Sequence, residues 1–288
     1  MRLNPFNTGN INVRSSGGGG GRFPGGGGGK IGCGTIILAA IGALVFGINP
    51  MQTIGVVESV QQTTGAGGGG QASTNEQEIC TRGPYANEAC NALQSLNQTW
   101  APEFQRAGIA FKQPFLDLYT GGGVRSGCGA APAAAGPFYC PADQGIYINT
   151  TFFDTLEQRM GAGGDFARLY VMAHEYGHHI QNLTGLAGQI RSAQQRASRG
   201  EANQLQVRME LQADCYAGVW AGRNRNLIEA GDIEEGMQAA AAIGDDRLTG
   251  GRVSSENFTH GTSAQRSQAL RLGLQGNDKA CDEITLVR

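Results

Sequence analysis

Two histidines and a glutamate lie within the stretch HEYGH, at residues 174–178 of this 288-residue chain. Four residues along an α-helix turn a side chain by about 400°, so His174 and His178 lie about 40° apart on one helical face. Two imidazoles in this arrangement can share one zinc ion, and Glu175 can accept a proton from a water molecule on the metal. The spacing therefore predicts a zinc-dependent hydrolase that binds one Zn²⁺ per chain and uses Glu175 as its general base.

A third protein ligand is expected, because a catalytic zinc site usually has three and leaves the fourth position to water. Glu210, in the stretch MELQADCYAG, is the best candidate. Asp214 follows four residues later on the same helical face and can hydrogen-bond the outer nitrogen of a ligating histidine. The alternative interpretation is that Glu210 and Asp214 form a solvated acidic face, since such pairs are common on helices.

The two remaining histidines of the chain are His179 and His260. His179 lies about 100° around the helix from His178, so we interpret it as a packing residue or a polar neighbour that points away from the metal. His260 lies far along the chain in the polar segment HGTSAQR. Its imidazole could donate a hydrogen bond to the oxyanion that forms when a carbonyl is attacked. The alternative is an exposed histidine in a loop, because a lone histidine carries little information.

Apolar residues at helical intervals predict the elements that position these side chains. Helices are predicted at residues 85–106, 152–161, 166–183 and 204–223, of which the first, third and fourth show this spacing. Thr150 or Thr151 can cap the second helix. Short strands are predicted at residues 114–119 and 145–149, and the second is expected to pair with an extended substrate backbone. Facing helices beside a small sheet indicate a mainly helical α+β catalytic domain.

Residues 31–48 form an uncharged apolar stretch that spans roughly 27 Å as a helix, enough to cross a bilayer once. The 30 residues before it are glycine-rich and contain four basic and no acidic residues. This asymmetry predicts a single-pass protein with a cytoplasmic N-terminus and an extracytoplasmic catalytic domain. A cleaved signal peptide and a buried helix of the folded domain are the alternatives.

The chain is thus expected to have four parts. These are a basic glycine-rich cytoplasmic segment at residues 1–30, a transmembrane helix at 31–48, a flexible linker at 49–77 and a zinc metallopeptidase domain at 78–288. The net charge of −2 and the pI near 6.1 give no indication of a nucleic-acid partner. The expected partners are a peptide or protein substrate and the lipid bilayer, contacted through residues 31–48.

Six of the seven cysteines lie outside the apolar stretch, and an even number predicts disulfides if the domain faces an oxidising space. Proximity in sequence favours Cys80 with Cys90 and Cys128 with Cys140. Cys215 then pairs with Cys281, although other connectivities remain open. Six reduced thiols in a cytosolic enzyme are the alternative. A cysteine zinc cluster is disfavoured, because the chain contains no C-x-x-C pair.

Several stretches together resemble the bacterial neutral zinc metallopeptidases: VMAHEYGHHIQ, ELQADCYAGVWA, THGTSAQR and, before them, GPFYCPADQGIYIN. The resemblance runs from about Cys80 to the C-terminus, and a basic N-terminal segment with a single span is also similar to that family. It implies a zincin-like fold in which His174, His178 and Glu210 hold zinc and Glu175 is the catalytic acid/base. It also favours a catalytic role for His260. The N-terminal region is richer in glycine than is usual in that family. This difference affects the expected length of the tether and not the predicted site.

The predicted function is therefore that of a membrane-anchored zinc metallopeptidase that hydrolyses peptide bonds through a zinc-activated water molecule. One alternative is a zinc amidase that acts on cell-wall peptide. Another is a non-catalytic binding module in which zinc only stabilises the domain. Glu175 favours an enzyme, because a purely structural site has no use for a carboxylate beside the open position of the metal.

Overall fold

A small mixed sheet and a larger set of helices form the fold in a computed structural model of the chain, which describes residues 1–3, 10–16 and 76–286. The strands are β1 (Asn12–Arg14), β2 (Phe115–Tyr119), β3 (Gly123–Ser126), β4 (Gly129–Pro132), β5 (Phe138–Cys140) and β6 (Gly145–Asn149). The helices are α1 (Glu76–Cys80), α2 (Pro84–Ala107), α3 (Thr151–Gln158), α4 (Asp165–Leu183), α5 (Leu186–Gln194), α6 (Arg199–Arg223), α7 (Asp232–Ala242), α8 (Asp245–Leu248), α9 (Ser263–Gly273) and α10 (Asp278–Asp282). The predicted α+β class, mainly helical with a small sheet, is confirmed.

The main sheet has the strand order β1-β2-β6-β5. β1, β2 and β6 run parallel, and β5 runs antiparallel to β6. β6 therefore has a neighbour on both sides, and its backbone is already paired. The prediction that residues 145–149 form the strand that pairs with substrate is wrong for this reason, and β5 is the edge strand at that end of the sheet.

The folded domain also includes part of the N-terminal segment. β1 adds to the far edge of the sheet beside β2, and Ile11 and Val13 are buried in the main hydrophobic core. The predicted division, with a separate segment at residues 1–30 and a domain that starts at residue 78, must be corrected at this point. No periodic signal marks this strand, because three residues are too few to show alternation.

The helices begin and end close to the predicted positions. α4 agrees with the expected helix over residues 166–183, whereas α6 begins earlier than residue 204, because Ser198 and Glu201 form a capping box at its start. Thr150 occupies the N-cap position of α3 but makes no side-chain capping bond. Instead, the side-chain oxygen of Asn149 accepts hydrogen bonds from the backbone and hydroxyl of Thr151.

α6 is the central helix of the domain and packs against α4 on one side and α9 on the other. The contact with α9 is close because glycines lie at the crossing: a Cβ on Gly218 would collide with the Leu270 carbonyl oxygen, and one on Gly273 with that of Cys215. Trp220 of α6 is fully buried and donates a hydrogen bond to Ser95 of α2 over 3.0 Å. These contacts fix the position of the helix that carries Glu210.

The structure contains the three predicted disulfides, Cys80–Cys90, Cys128–Cys140 and Cys215–Cys281. The second joins the β3–β4 hairpin to the edge strand β5, and the third joins α6 to α10. In the part of the chain that the structure describes, no helix has the length and apolar character needed to cross a membrane. The predicted span at residues 31–48 lies outside the described residues, and so does the predicted linker at residues 49–77 except for its last two residues, which begin α1.

Candidate metal centre and active site

The HEYGH stretch lies in the second half of α4, as predicted. His174 and Glu175 are buried, and His178 is partly exposed. The two imidazole rings, one turn apart, have centroids separated by 4.8 Å. The helix therefore presents both rings on one face, with Glu175 next to the first of them.

Gly177 allows α4 and α6 to approach each other beside this face. A Cβ at residue 177 would lie only 2.8 Å from the Cα of Ala213 on α6, so any larger residue would push the two helices apart. Glycine in a helix interior destabilises the helix by about 0.5–1 kcal/mol relative to alanine. The close helix contact explains why a glycine nevertheless occupies this position. The same contact brings Glu210, one turn before Ala213, opposite the two histidines.

Three potential metal ligands converge at this contact. Nε2 of His174 lies 3.2 Å from one carboxylate oxygen of Glu210, and Nε2 of His178 lies 3.6 Å from the other. One ligand atom from each of the three residues lies within 4.8 Å of the others. Glu210 is 1% exposed, so it does not belong to a solvated acidic face. Two imidazoles and a carboxylate that leave room for a fourth ligand are a donor set that suits catalytic zinc.

Asp214 holds His174 from the side opposite Glu210. One of its oxygens lies 2.7 Å from Nδ1 of His174 and also accepts hydrogen bonds from Tyr170, over 2.5 Å, and Arg266, over 2.8 Å. Burial raises the pKa of Asp214, but the charges of Arg266 and His174 outweigh this effect and hold the pKa below its usual value. An ionised Asp214 fixes the Nδ1–H tautomer of His174 and leaves Nε2 free to bind a metal.

A similar support holds the second histidine. Nδ1 of His178 donates to the side-chain oxygen of Gln181 over 2.9 Å. Gln181 is itself buried and donates to the backbone oxygen of Met209 and to the side chain of Gln212 on α6. Both histidines are thus oriented through Nδ1, so that both Nε2 atoms face Glu210.

The electrostatics of the site favour a bound cation. Burial lowers the pKa of His174, but the Asp214 and Glu210 carboxylates outweigh it and raise the pKa to about 9. Burial alone would raise the pKa of Glu210, yet His178 and His174 hold it well below the usual value. The carboxylate of Glu210 is therefore ionised and buried, and a divalent cation among these three residues would compensate its charge.

Glu175 has an environment that suits a proton acceptor. Its side chain is 8% exposed, and burial is the main reason that its pKa lies above the usual glutamate value, although the two neighbouring histidines partly offset the effect. A carboxylate with a raised pKa accepts a proton more readily at neutral pH than an exposed one does.

His179 points away from the predicted ligands. Its Nε2 donates to the backbone oxygen of Lys112 over 2.7 Å, and its Nδ1 accepts a hydrogen bond from the hydroxyl of Tyr139 on β5. Burial lowers its pKa to about 4, so the ring is neutral at physiological pH. Asn182 of α4 also donates to the Tyr139 hydroxyl. His179 is thus the expected polar neighbour, and it joins the edge strand to the active-site helix.

His260 is not the exposed loop histidine of the alternative interpretation, because it is only 3% exposed. Its Nδ1 donates to Asp245 over 3.0 Å, and the other oxygen of Asp245 accepts from the backbone nitrogens of Thr259, His260 and Gly261. Nε2 of His260 is buried and has no hydrogen-bond partner among the described residues. The carboxylate thus holds the imidazole in one orientation, with Nε2 unpaired.

The loop that carries His260 lies against α6 close to Glu210. A Cβ on Gly261 would contact the side chains of Val207 and Leu211 at 3.2 and 3.4 Å. Those two residues lie on the turn of α6 that includes Glu210. His260 is not one of the three residues whose ligand atoms converge.

Four residues of this arrangement were not identified from the sequence: Tyr170, Gln181, Asp245 and Arg266. Tyr170 and Gln181 lie four residues before His174 and three after His178, and this helical spacing was available as a signal. Arg266 lies in the HGTSAQR segment, six residues after His260. Asp245 is brought to His260 by the fold of residues 245–262, which has no periodic pattern.

Comparison with known proteins agrees with this geometry. The sequence model of the family described as "Putative neutral zinc metallopeptidase" matches residues 4–284. The chain belongs to this family. The name of the neutral zinc metallopeptidases implies zinc as the metal and a peptide as the substrate, and the His174–His178–Glu210 cluster is a group in the structure that could bind the metal.

The chain is similar to uncharacterized proteins of two bacteria. It is 44% identical over 220 residues to the uncharacterized protein YpfJ of Escherichia coli strain K12, across 73% of this chain and 76% of the relative. It is 39% identical over 228 residues to the uncharacterized protein Rv2575 of Mycobacterium tuberculosis strain H37Rv, across 72% and 74% of the two chains. No solved structure matches the chain.

Proposed function

We propose that this chain is a zinc peptidase with a zincin-like active site and that it hydrolyses peptide bonds. The observation that carries the proposal is the convergence of His174, His178 and Glu210, with the buried Glu175 beside them. A site that only stabilised the fold would have four protein ligands and no carboxylate next to an open position. One zinc ion per chain would be held by Nε2 of each histidine and by the Glu210 carboxylate.

Glu175 performs the proton transfers in this proposal. Bound zinc supplies Lewis acidity, which makes a water molecule more acidic and polarises a carbonyl oxygen. The Glu175 carboxylate accepts the proton of the attacking water and then donates it to the leaving amide nitrogen. Burial of Glu175 supports this role, because it brings the pKa of the carboxyl closer to the pH at which the enzyme works.

His260 binds the oxyanion in this proposal. Nδ1 of His260 is hydrogen-bonded to Asp245, so Nε2 is the ring nitrogen that is available to the substrate. The loop of His260 lies beside the turn of α6 that carries Glu210. With both ring nitrogens protonated, Nε2–H can donate to the carbonyl oxygen, and this hydrogen bond would strengthen as negative charge develops on that oxygen.

An extended substrate pairs with β5 in this proposal. β5 has a strand neighbour on one side only in the described sheet, and Tyr139 joins it to α4 through His179 and Asn182. The Cys128–Cys140 disulfide ties the β3–β4 hairpin to the same strand. A peptide that added to this edge would lie alongside the helix that carries Glu175.

The domain works outside the cytoplasm, and residues 31–48 provide its contact with the membrane. The three disulfides support this location, because such bonds persist in oxidising compartments and are rare in the bacterial cytosol. The apolar composition of residues 31–48 supports the membrane contact.

The test is incubation of the purified chain with a peptide library derived from a whole proteome, followed by identification of new termini. Zinc-loaded protein should cleave peptides, a chelator should abolish cleavage, and added zinc should restore it. The Glu175→Gln variant, loaded to the same zinc content, is the matched control and should be inactive. Cleavage of purified cell-wall peptide but of no library peptide would favour the amidase alternative. Absence of hydrolysis with both the library peptides and the cell-wall peptide would favour the remaining alternative, a non-catalytic module that zinc stabilises.

A further inference from the structure

β1 comes from a part of the chain that lies far from the catalytic domain in sequence. Residues 17–75 separate it from α1, yet Asn12, Val13 and Arg14 pair in parallel register with Phe115, Leu116 and Asp117 of β2. Ile11 and Val13 are 2% and 4% exposed and lie in the same hydrophobic core as the active-site helix. The strand is thus bound both by its backbone and by its side chains.

Asp117 of β2 depends on this segment for its hydrogen bonds. Its carboxylate is fully buried and accepts from Nε of Arg14 over 2.8 Å, from the backbone nitrogen of Ser16 over 3.0 Å and from the Ser16 hydroxyl over 2.8 Å. Within the described residues, these are all the hydrogen bonds to the carboxylate. If residues 10–16 were elsewhere, the Asp117 carboxylate would lose these hydrogen bonds and its ion pair with Arg14, which is unfavourable.

Arg14 extends the contact across the sheet. Its guanidinium lies over the ring of Phe115, 3.7 Å from the centroid, and its Nη2 donates to the hydroxyl of Tyr147 on β6 over 2.7 Å. That hydroxyl in turn donates to Asp143, in the turn between β5 and β6. The N-terminal segment is therefore connected to two strands of the domain, β2 and β6, and through Tyr147 to the turn between β5 and β6.

We infer that residues 10–16 and the catalytic domain lie on the same side of the membrane. Hydrogen bonds of about 3 Å cannot join groups that a hydrocarbon layer of about 30 Å separates. A single crossing by residues 31–48 would put β1 and β2 on opposite sides, and two crossings would need about 40 apolar residues. The predicted combination of a cytoplasmic N-terminus with an extracytoplasmic catalytic domain is thus incompatible with the sheet, and the N-terminal strand accompanies the domain to its compartment.

An engineered disulfide between the two strands tests this inference in living cells. Arg14 and Asp117 are register partners, so Arg14→Cys with Asp117→Cys removes both charges and puts two thiols within bonding distance. The full chain is used, with Cys33→Ser in every variant to remove the seventh cysteine. The matched control is Arg14→Cys with Thr120→Cys, in which the second thiol lies three residues, or about 10 Å, further along the chain.

Peptide mapping of non-reduced protein from cells should find residues 14 and 117 joined within one chain, and residues 14 and 120 not joined. Two free thiols that react with a membrane-impermeant reagent from opposite sides of the membrane would overturn the inference. A bond between residues 14 and 117 of two different chains would overturn it as well, because β1 would then belong to another copy.

A second measurement leaves the β1–β2 contacts intact and remains decisive if the cysteine variants do not fold. A recognition site for a specific protease is inserted within the glycine run at residues 17–21, and the protease is added to intact spheroplasts. Cleavage there is expected to match, to within about twofold, that of the same site added after residue 288. Cleavage of the first site only after lysis, with the second cut in intact spheroplasts, would place residues 10–16 in the cytoplasm and overturn the inference. Protection of both sites until lysis would support the shared compartment and contradict the proposed extracytoplasmic location instead.

Discussion

Nδ1 of His174 lies 2.7 Å from a carboxylate oxygen of Asp214, and Tyr170 and Arg266 donate hydrogen bonds to that same oxygen. The position and charge of Asp214 are therefore set by Tyr170 and Arg266 as well as by His174. This arrangement leaves Nε2 of His174 directed at Glu210. The charge of the buried Arg266 is offset by Asp214 at 2.8 Å and by Glu210 at 4.0 Å, which explains how an arginine can lie beside a cation site.

We expect Asp214→Asn to weaken zinc binding by about 10–100-fold, because loss of a carboxylate behind a ligating histidine typically has an effect of that size. The substitution conserves volume but removes the nearer of the two anionic partners of Arg266 and leaves Glu210 at 4.0 Å. Tyr170→Phe is the matched control, since it removes one hydrogen bond to the same oxygen and should have a smaller effect. Competition with a chromophoric chelator measures the affinity. Wild-type affinity in Asp214→Asn would show that His174 does not need this partner.

Substitutions at Glu175 and Glu210 should have different effects, the first on catalysis and the second on zinc binding. Glu175→Gln should keep about one zinc per chain and lose nearly all turnover, because the ligands remain while the proton acceptor is lost. Glu210→Ala should lose zinc, and activity with it. Metal analysis after dialysis and turnover of a library-derived peptide check both variants. If Glu210→Ala retained zinc as tightly as the wild type, a different residue would be the third ligand.

Gly177→Ala should disturb the metal site without altering any polar group. The added methyl group would lie 2.8 Å from the Cα of Ala213, and we expect a loss of about 1–3 kcal/mol in the free energy of unfolding together with weaker zinc binding. Gly188→Ala is the control, because a Cβ there meets nothing within 4 Å. It should be neutral or stabilising by up to about 1 kcal/mol. Urea unfolding of both variants, with and without zinc, distinguishes the two effects.

The parts of the fold that were predicted correctly are those with a local signal. α4 and α6 show helical periodicity over many residues, and the ligand spacing of His174 and His178 is a property of a single helix. The contact of these two histidines with Glu210 depends on the packing of α4 against α6. It could still be predicted from the sequence, because a catalytic zinc site requires a third protein ligand.

The parts that were missed depend on contacts between distant segments. Asp245 and His260 are joined by a loop without periodicity, so no spacing rule pairs them. β1 has three residues, and its pairing with β2 is specified by the buried Asp117 and not by any local pattern. The edge position of β5 follows from strand order, which a set of short strands does not determine.

Asp245 should make the stability of the domain depend on pH. Burial raises its pKa, but hydrogen bonds from His260 and from the backbone outweigh this and hold the pKa below the usual value of 3.8. The folded state therefore binds this proton less tightly than the unfolded state does. The contribution of Asp245 to stability is full above about pH 4 and is lost as the pH falls through the lower folded value.

The comparison of wild type with Asp245→Asn isolates this contribution. With zinc removed by a chelator, the variant should be less stable by about 1–3 kcal/mol at pH 7, since three backbone donors lose a charged acceptor. The difference should shrink toward zero as the pH falls below 3.8. Urea unfolding at a series of pH values measures it, and a difference that stayed constant between pH 7 and pH 3 would contradict the assignment.

His260 should affect the rate of the reaction more than the binding of substrate. Its Nε2 is buried and unpaired among the described residues, while Nδ1 is committed to Asp245. If Nε2 donates to the oxyanion, His260→Ala should lower kcat by about 10²–10³-fold, because loss of one oxyanion donor typically has this effect. KM and zinc content should change little, since the hydrogen bond is strongest in the transition state.

The variant His260→Gln distinguishes this role from a structural one. A glutamine amide can still donate a hydrogen bond, so it should recover part of the lost kcat, whereas a packing defect would not be corrected by a side chain of different shape. Zinc stoichiometry and steady-state kinetics are measured on both variants with the same peptide. Full turnover in His260→Ala would reduce His260 to a residue that only orders the loop with Asp245. Loss of zinc from His260→Ala would instead indicate that His260 is an alternative to Glu210 as the third zinc ligand.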